Sequence, residues 1–275
     1  MPLVSLNEIL DTAKRNKEAI PAFNVVNCEM IIAAIRASEK EQSPIIIEYT
    51  EGDDKRLSIE IIGRFASNLA KKSSVPICVH FDHGVTKEGI KRAIDNGFSS
   101  VMIDASNNNL EDNIKITKSV VDYCKPLGIS VEAELGRIQH GKQNYTDIEQ
   151  VKEFVERTNI DALAISFGTE HGVYKQKPDI NYELVRKVSE ITEVPLVMHG
   201  GSGLSEEVYH NVINSGVAKI NYYSAMSNKV LNKILITLSE NFEPNNLYLQ
   251  DFVDLELKLF EDEMKKVIKL FKNKK

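Results

Sequence analysis

The chain has 275 residues, with 34 Lys and Arg against 40 Asp and Glu and a formal net charge of −6. That balance and a pI near 5.6 argue against the basic surface that a nucleic-acid binder needs, and no run of about 18 apolar residues is present to span a membrane. Three widely spaced cysteines, Cys28, Cys78 and Cys124, form no Cys-x-x-Cys pair and suit a reducing compartment as buried apolar residues.

In chain order, Met1–Leu10 carries Asn7 and Glu8 where a signal peptide would have a basic start and an apolar stretch, so a cytoplasmic protein is expected. Ser5-x-x-Glu8 is a capping box that opens a short helix. Strands are predicted at Ala22–Val25, Ile45–Tyr49, Ile77–Phe81, Ser100–Ile103, Ser130–Leu135, Ala162–Ser166, Leu196–Met198 and Ala218–Ile220. Most are rich in Ile and Val without clean alternation, as strands buried on both faces should be. Helical patterns lie between them at Glu29–Lys40, Leu57–Lys71, Lys87–Asn96, Asn113–Pro126 and Tyr182–Glu190, and Thr146-x-x-Glu149 reads as a second capping box before Val151–Val155. A charged helix from roughly Asp251 to Leu270 follows the last strand, and Lys269, Lys272, Lys274 and Lys275 read as its solvated end. Eight strand–helix alternations without a Gly-, Ser- or Pro-rich linker predict one (β/α)8 TIM-barrel domain over residues 1–275, with an extra N-terminal helix and a C-terminal helical tail.

The informative residues are polar ones where strands end. His83, His171 and His199 each follow a strand or its turn, each with a glycine close by; Asp104 closes the strand ending at Ile103. Glu132 and Glu134 alternate with Val131, Ala133 and Leu135, so both point to one side of their strand. Asn24, Thr50 and Asn221 end the first, second and eighth strands. In a barrel these carboxyl ends meet at one mouth, where barrel active sites lie. A lone histidine there serves as a structural residue as often as a ligand, whereas three on different strands suit zinc with an open fourth position. Asp104 and Glu134 are either oxygen ligands for another cation or groups that orient the histidines. His80, inside its strand, and His210, in a helix, are read as structural. Gly200-Gly201-Ser202-Gly203 precedes a helix near Ser205; it is either a tight turn needing positive φ or, beside the histidines, a phosphate cradle of backbone N–H groups and the Ser202 hydroxyl.

Pro21-Ala22-Phe23-Asn24, His80-Phe81-Asp82-His83-Gly84, Ser100-Val101-Met102-Ile103-Asp104, Val131-Glu132-Ala133-Glu134-Leu135-Gly136, Gly168-Thr169-Glu170-His171-Gly172 and His199-Gly200-Gly201-Ser202-Gly203-Leu204 together resemble the class II, metal-dependent ketose-bisphosphate aldolases, which include the fructose- and tagatose-bisphosphate aldolases. The motifs come in the family's order and cover about residues 1 to 230. The resemblance implies zinc on His83, His171 and His199, Asp82 as the proton-transferring group, and Asp104 and Glu134 at an alternative metal position. It implies a donor phosphate against Gly172, Gly200, Gly201, Ser202 and the segment Asn221 to Ser224, with Asn221 touching the dihydroxyacetone part. Asn24 and Thr50 are further substrate-binding candidates. A homodimer or larger homo-oligomer is implied as well.

Three segments depart from the family's pattern. The mobile loop Gly-Gly-x-Glu-Asp, whose glutamate moves the donor's proton, is replaced by Gly136-Arg137-Ile138-Gln139-His140-Gly141-Lys142-Gln143-Asn144-Tyr145, which has no acid. The eighth-strand segment reads Asn221-Tyr222-Tyr223-Ser224-Ala225 and lacks the usual acid. The Asp-Pro-Arg segment that meets the second phosphate is not found; Asn246-Leu247-Tyr248-Leu249 stands nearby. The activity implied is reversible cleavage of a phosphorylated ketose to dihydroxyacetone phosphate, or a similar donor, and an aldehyde. Zinc would act as Lewis acid and Asp82 as acid–base group, with His140, Tyr145 or water at the metal left to protonate the donor carbon. A Schiff-base aldolase is disfavoured, because Lys219 lies within the eighth strand and no lysine ends the sixth. The rival readings are a catalytically weakened sugar-phosphate-binding subunit, which the missing groups suit, and a barrel metallohydrolase. Asp82 argues against the first and the Gly200–Ser202 turn against the second.

Overall fold

The computed structural model describes residues 2–138, 145–241 and 246–273. Eight parallel strands form a closed ring: β2 (Ile20–Asn24), β3 (Ile45–Thr50), β4 (Ile77–Gly84), β5 (Ser100–Ile103), β6 (Ser130–Leu135), β7 (Ala162–Ile165), β8 (Leu196–Met198) and β9 (Val217–Asn221), with β9 pairing back onto β2. A two-residue strand, β1 (Leu3–Val4), adds to the start of β4 through Leu3 opposite Ile77 and Val4 opposite Cys78. Helices α2 (Cys28–Glu41), α3 (Ile59–Ala70), α4 (Lys87–Asp95), α5 (Leu110–Cys124), α6 (Ile148–Thr158), α7 (Tyr182–Ile191), α8 (Glu206–Asn214) and α9 (Ser224–Asn241) follow the barrel strands in turn. The predicted TIM barrel is the observed fold.

Strand parity divides the core. In β3, Ile45, Ile47 and Tyr49 face the helices while Ile46 faces inward, and Glu48 follows Ile46 by the two-residue period. The lower interior is a small apolar cluster of Ile20, Ala22, Ile46, Cys78, Ala162, Ala164, Val197 and Ala218. Helix α1 (Leu6–Asn16) closes this end with Leu6, Ile9, Leu10 and Ala13, a buried stripe at helical spacing. Its start is the predicted capping box: the Ser5 N–H and hydroxyl both donate to the Glu8 carboxylate, at 2.7 and 2.9 Å.

The second predicted box does not form. Asp147 caps α6 by accepting from the Glu149 N–H at 3.1 Å, while the Thr146 hydroxyl donates to the Leu135 carbonyl at 2.6 Å and accepts from the Ser166 N–H at 2.8 Å. Thr146 is 3% exposed, and pinning two strand ends outcompetes capping there. The C-terminal helix α10 (Leu249–Phe271) packs along α2 and buries Phe260, Met264, Val267, Ile268 and Phe271, each worth about 1.5–3 kcal/mol relative to exposure. Its lysine end is tied down in part: Lys272 donates to the Glu41 carbonyl at 2.7 Å, and Lys269 lies 3.3 Å from the Glu41 carboxylate. Lys274 and Lys275 lie outside the described residues. Cys78 and Cys124 are buried as expected, whereas Cys28, at the start of α2, is only half-buried. His210 has a structural partner, Asn273, at 2.5 Å. Among the described residues, no helix is long and apolar enough to cross a membrane.

Candidate active site at the barrel mouth

Above the apolar layer the interior turns polar. Lys219, fully buried, reaches Glu48 at 2.6 Å, Glu132 at 2.8 Å and the Asn221 side-chain oxygen at 2.9 Å. A register shift between β8 and β9 lets Lys219 face inward although its neighbour Ala218 does so too. Burial pushes the Glu48 carboxyl up to about 8 against the pull of Lys219. Burial also raises Glu132, but Lys219 and the histidines more than reverse this and hold it ionised. His80, read as structural, bonds Ser100 through Nδ1 at 2.8 Å, and burial with Lys219 beside it pushes its imidazole down to about 3.

The ring of three histidines stands on this layer. Glu132 accepts from His199 Nε2 at 2.8 Å; a carboxylate only accepts, so the proton sits on Nε2 and Nδ1 keeps its lone pair. Asp104 does the same for His83, through Nδ1 at 3.3 Å. The two freed nitrogens, His199 Nδ1 and His83 Nε2, lie 3.1 Å apart. The ring of His171 lies 5.2 Å from that of His83 and 5.8 Å from that of His199, and one nitrogen from each of the three falls within 4.8 Å of the others. A tetrahedral zinc with arms of 2.0–2.1 Å needs nitrogens about 3.3 Å apart, so the 3.1 Å pair of His83 and His199 suits that ion, with a His171 nitrogen inside the same cluster.

Strand parity alone would turn His83 outward with Phe81. A shift in register against β5 between Phe81 and Gly84, together with a φ of 49° at His83, re-aims it into the mouth. Strain of this kind gathers at functional sites. Gly84 allows the close approach, since a Cβ there would meet the Met102 carbonyl at 2.6 Å.

Asp82 is 2% exposed. Its Oδ2 accepts from the Asn24 amide at 2.8 Å, while Oδ1 makes no hydrogen bond and lies 4.0 Å from His83 Nε2. Burial would raise the Asp82 carboxyl, but His83, His199 and Lys219 together hold it well below the usual range. Around His83 the balance runs the other way: burial disfavours its charge, yet Asp82, Asp104 and Glu134 lift the imidazole to about 10. Carboxylates that hold an extra proton on this histidine mark a place that favours positive charge. His171 is pushed down to about 4 by burial and by the other two histidines. Asp104 and Glu134 stand on the far side of His83 in a second recess with Ser106, Asn107, Arg137 and Ile138. Burial and Asp104's charge raise Glu134 to about 8; burial would raise Asp104 as well, but bonds from His83 and Ser106 hold it at about 2. Asp104 therefore orients His83 in this arrangement, and Glu134 keeps one buried oxygen without a hydrogen bond.

All eight substrate-binding candidates line one cavity with Asp82 and the three histidines: Asn24, Thr50, Gly172, Gly200, Gly201, Ser202, Asn221 and Ser224. Gly200 has φ 64°, and a Cβ there would strike the Glu170 carbonyl at 2.3 Å. Two tyrosines that the sequence reading did not single out hold this turn. Tyr174 donates to the Gly200 carbonyl and Tyr209 to the Gly201 carbonyl, both at 2.7 Å. The Ser202 hydroxyl oxygen accepts from the Ala225 N–H at 2.9 Å, in the first turn of α9. Of the candidates for donor protonation, Tyr145 bonds the Asp179 carbonyl at 3.5 Å and is not among the residues lining the cavity, and His140 lies outside the described residues. Lys219 and Glu48 were legible only as charges inside apolar strands, the one signal that could have found them.

A ring of histidines over a buried charged layer stands at the mouth of a closed parallel barrel, where (β/α)8 enzymes carry their active sites. The model of the class-II fructose-bisphosphate aldolases matches residues 4–274, and the chain belongs to that family. It is 37% identical over 282 residues to the fructose-bisphosphate aldolase of Giardia intestinalis, covering 90% of this chain and 87% of that one. It is 40% identical over 235 residues to the 6-phospho-5-dehydro-2-deoxy-D-gluconate aldolase of Halalkalibacterium halodurans, covering 80% of each. The crystal structure of the YdjI aldolase from Escherichia coli K12 superposes with a TM-score of 0.88 at 37% identity, over 98% of this chain and 97% of that one. The chain is thus an aldolase, a carbon–carbon lyase, and the binding-subunit and hydrolase readings give way to it.

Proposed function

We propose that this aldolase is metal-dependent and reversibly cleaves a phosphorylated ketose to dihydroxyacetone phosphate, or a similar donor, and an aldehyde. The observation that carries the proposal is the unbonded, buried Oδ1 of Asp82 standing 4.0 Å from His83 Nε2 in a cavity walled by the Gly200–Ser202 turn. His83, His171 and His199 would hold a zinc ion, with Asp104 and Glu134 as an alternative cation position. When bound, zinc would polarise the donor carbonyl and stabilise the charge that gathers on its oxygen.

The chain's own groups supply the rest. Asn24 fixes Asp82 through Oδ2, which leaves Oδ1 to take the hydroxyl proton as the carbon–carbon bond breaks and to return it in condensation. Ser202 has its oxygen engaged by Ala225 and keeps its proton for a phosphate oxygen, and the α9 N-terminus at Ser224 adds partial positive charge there. Asn221 is held through its oxygen by Lys219, and its amide nitrogen lies 3.5 Å from His199 Nδ1, beside the place proposed for the metal and the donor. The Giardia intestinalis and Halalkalibacterium halodurans aldolases act, by name, on phosphorylated substrates, which supports the same class here. A cytoplasmic homo-oligomer is part of the proposal; α9 exposes Leu231, Leu235 and Ile236 on its surface, a patch that a second copy would cover.

The test is a cleavage assay over mono- and bisphosphorylated ketoses, run before chelation, after it and with zinc restored. Activity that disappears with the chelator and returns with zinc is expected. Cleavage untouched by complete metal removal would overturn the metal assignment, and failure on every phosphorylated ketose would overturn the substrate class.

A further inference from the structure

We infer that Asp53 sets the charge of the aldehyde this enzyme accepts: its carboxylate excludes an aldehyde with an anionic far end and takes hydrogen bonds from the hydroxyls of an uncharged one. The inference rests on the aldolase reading above. The turn after β3 carries three acids, Glu51, Asp53 and Asp54. Two are committed elsewhere. Glu51 accepts from the Val85 N–H at 2.6 Å and from Thr86, and Asp54 takes both terminal nitrogens of Arg92, at 2.9 and 3.1 Å. Asp53 alone of the three lines the reaction cavity.

Its position is built in before any ligand arrives. The Asp53 carbonyl accepts from the Tyr49 hydroxyl and from the Arg56 N–H, both at 2.8 Å, and its carboxylate accepts from the Thr50 hydroxyl at 3.0 Å. In the eight-strand ring β3 stands opposite β7 and three strands from β8. Asp53 therefore faces the cavity from across the Gly172 and Gly200–Ser202 turns, the wall where the donor phosphate is proposed, with Ser224 after β9 two strands away. That leaves it beside the aldehyde. Arg56 meets Asp53 at 3.1 Å, but with side-chain exposures of 61% and 28% the pair is screened and neutralises little. No Lys or Arg is among the described residues lining the cavity. A second phosphate on the aldehyde would thus meet a like charge with no cation among the described lining residues to offset it, which is discrimination by repulsion.

The experiment condenses dihydroxyacetone phosphate with glyceraldehyde and with glyceraldehyde 3-phosphate, and compares kcat/KM for the pair in the wild type, Asp53→Asn and Arg56→Ala. The wild type should favour glyceraldehyde, and Asp53→Asn should move the ratio toward the phosphorylated aldehyde by tenfold or more. Raising ionic strength should narrow the wild-type preference and leave that of Asp53→Asn nearly unchanged, because only a charge–charge effect is screened. A ratio within twofold of wild type in Asp53→Asn would overturn the inference while leaving the aldolase reading intact. A wild-type preference for the phosphorylated aldehyde that Arg56→Ala abolishes would also overturn it, and would make Arg56 the phosphate's partner. Reaction with neither aldehyde, nor with any other, would remove the aldolase reading and this inference with it.

Discussion

Replacing Lys219 by methionine takes away the ammonium 2.6 Å from Glu48 and 2.8 Å from Glu132, at a position with no solvent exposure. Stranding a buried charge costs about 3–5 kcal/mol. Two carboxylates lose their partner here, but the Glu48 carboxyl already sits at about 8 with the lysine present, so without it Glu48 takes a proton at neutral pH. Only Glu132 is stranded, and it keeps the His199 bond. The cost therefore falls near the lower bound, about 3 kcal/mol, which at roughly 2–4 °C per kcal/mol for a chain of this size lowers Tm by about 6–12 °C. Glu48→Gln should cost little in either background near neutral pH, because Glu48 is already mostly protonated there and glutamine keeps an acceptor for Lys219; coupling between the two positions should appear only as pH rises toward and above 8. The pH dependence has a definite sign. Glu48 is raised from 4.5 in the unfolded chain to about 8 in the folded one, so between those values the native state holds the extra proton and this group's contribution to stability declines as pH rises. Glu48→Gln removes that slope. Thermal unfolding of the four chains across pH 5–8 is the assay; a Tm loss under about 2 °C in Lys219→Met, or a pH slope that Glu48→Gln leaves unchanged, would refute the reasoning.

Three further outcomes are expected. His83→Ala, His171→Ala or His199→Ala should each lose most bound zinc by elemental analysis, since each leaves two ligand nitrogens of three. Asp82→Asn should keep the metal and fold but lose ketose cleavage by roughly a hundredfold or more, with deuterium uptake into dihydroxyacetone phosphate suffering less. Leu235→Glu, at a residue 58% exposed on α9, should shift the mass found by light scattering from oligomer to monomer, the homo-oligomer being the state proposed above.

What the sequence disclosed and what it hid divide along a physical line. Ile- and Val-rich runs buried on both faces announce barrel strands, and polar residues at their ends announce the mouth, so Asn24, His83, His171, His199 and Ser202 were legible before their geometry, and Asp82 through the family resemblance. Departures from parity were not. Nothing in His80-Phe81-Asp82-His83-Gly84 shows that His83 adopts a left-handed φ of 49°, and nothing at Ala218-Lys219 shows that the strand slips to turn both inward. Long-range choices were equally hidden. Thr146 looked like a cap because its neighbours in sequence suit one; its true partners, Leu135 and Ser166, are 11 and 20 residues away.

The two storeys of the barrel interior set where this protein can be hardened. Glu48, Glu132 and Lys219 are a load on folding that an apolar trio of similar volume would relieve, often by about 1–4 kcal/mol, and selection for heat resistance alone would drift toward that exchange. The barrel it reached would be sturdier and inert, with His199 and Asn221 deprived of the groups that aim them. The lower storey carries no such conflict. Ala162, Ala164 and Ala218 beneath the site, against the Leu6 and Leu10 plug, are small residues in an apolar layer, and an engineer can repack them for stability while the chemistry above stays as it is.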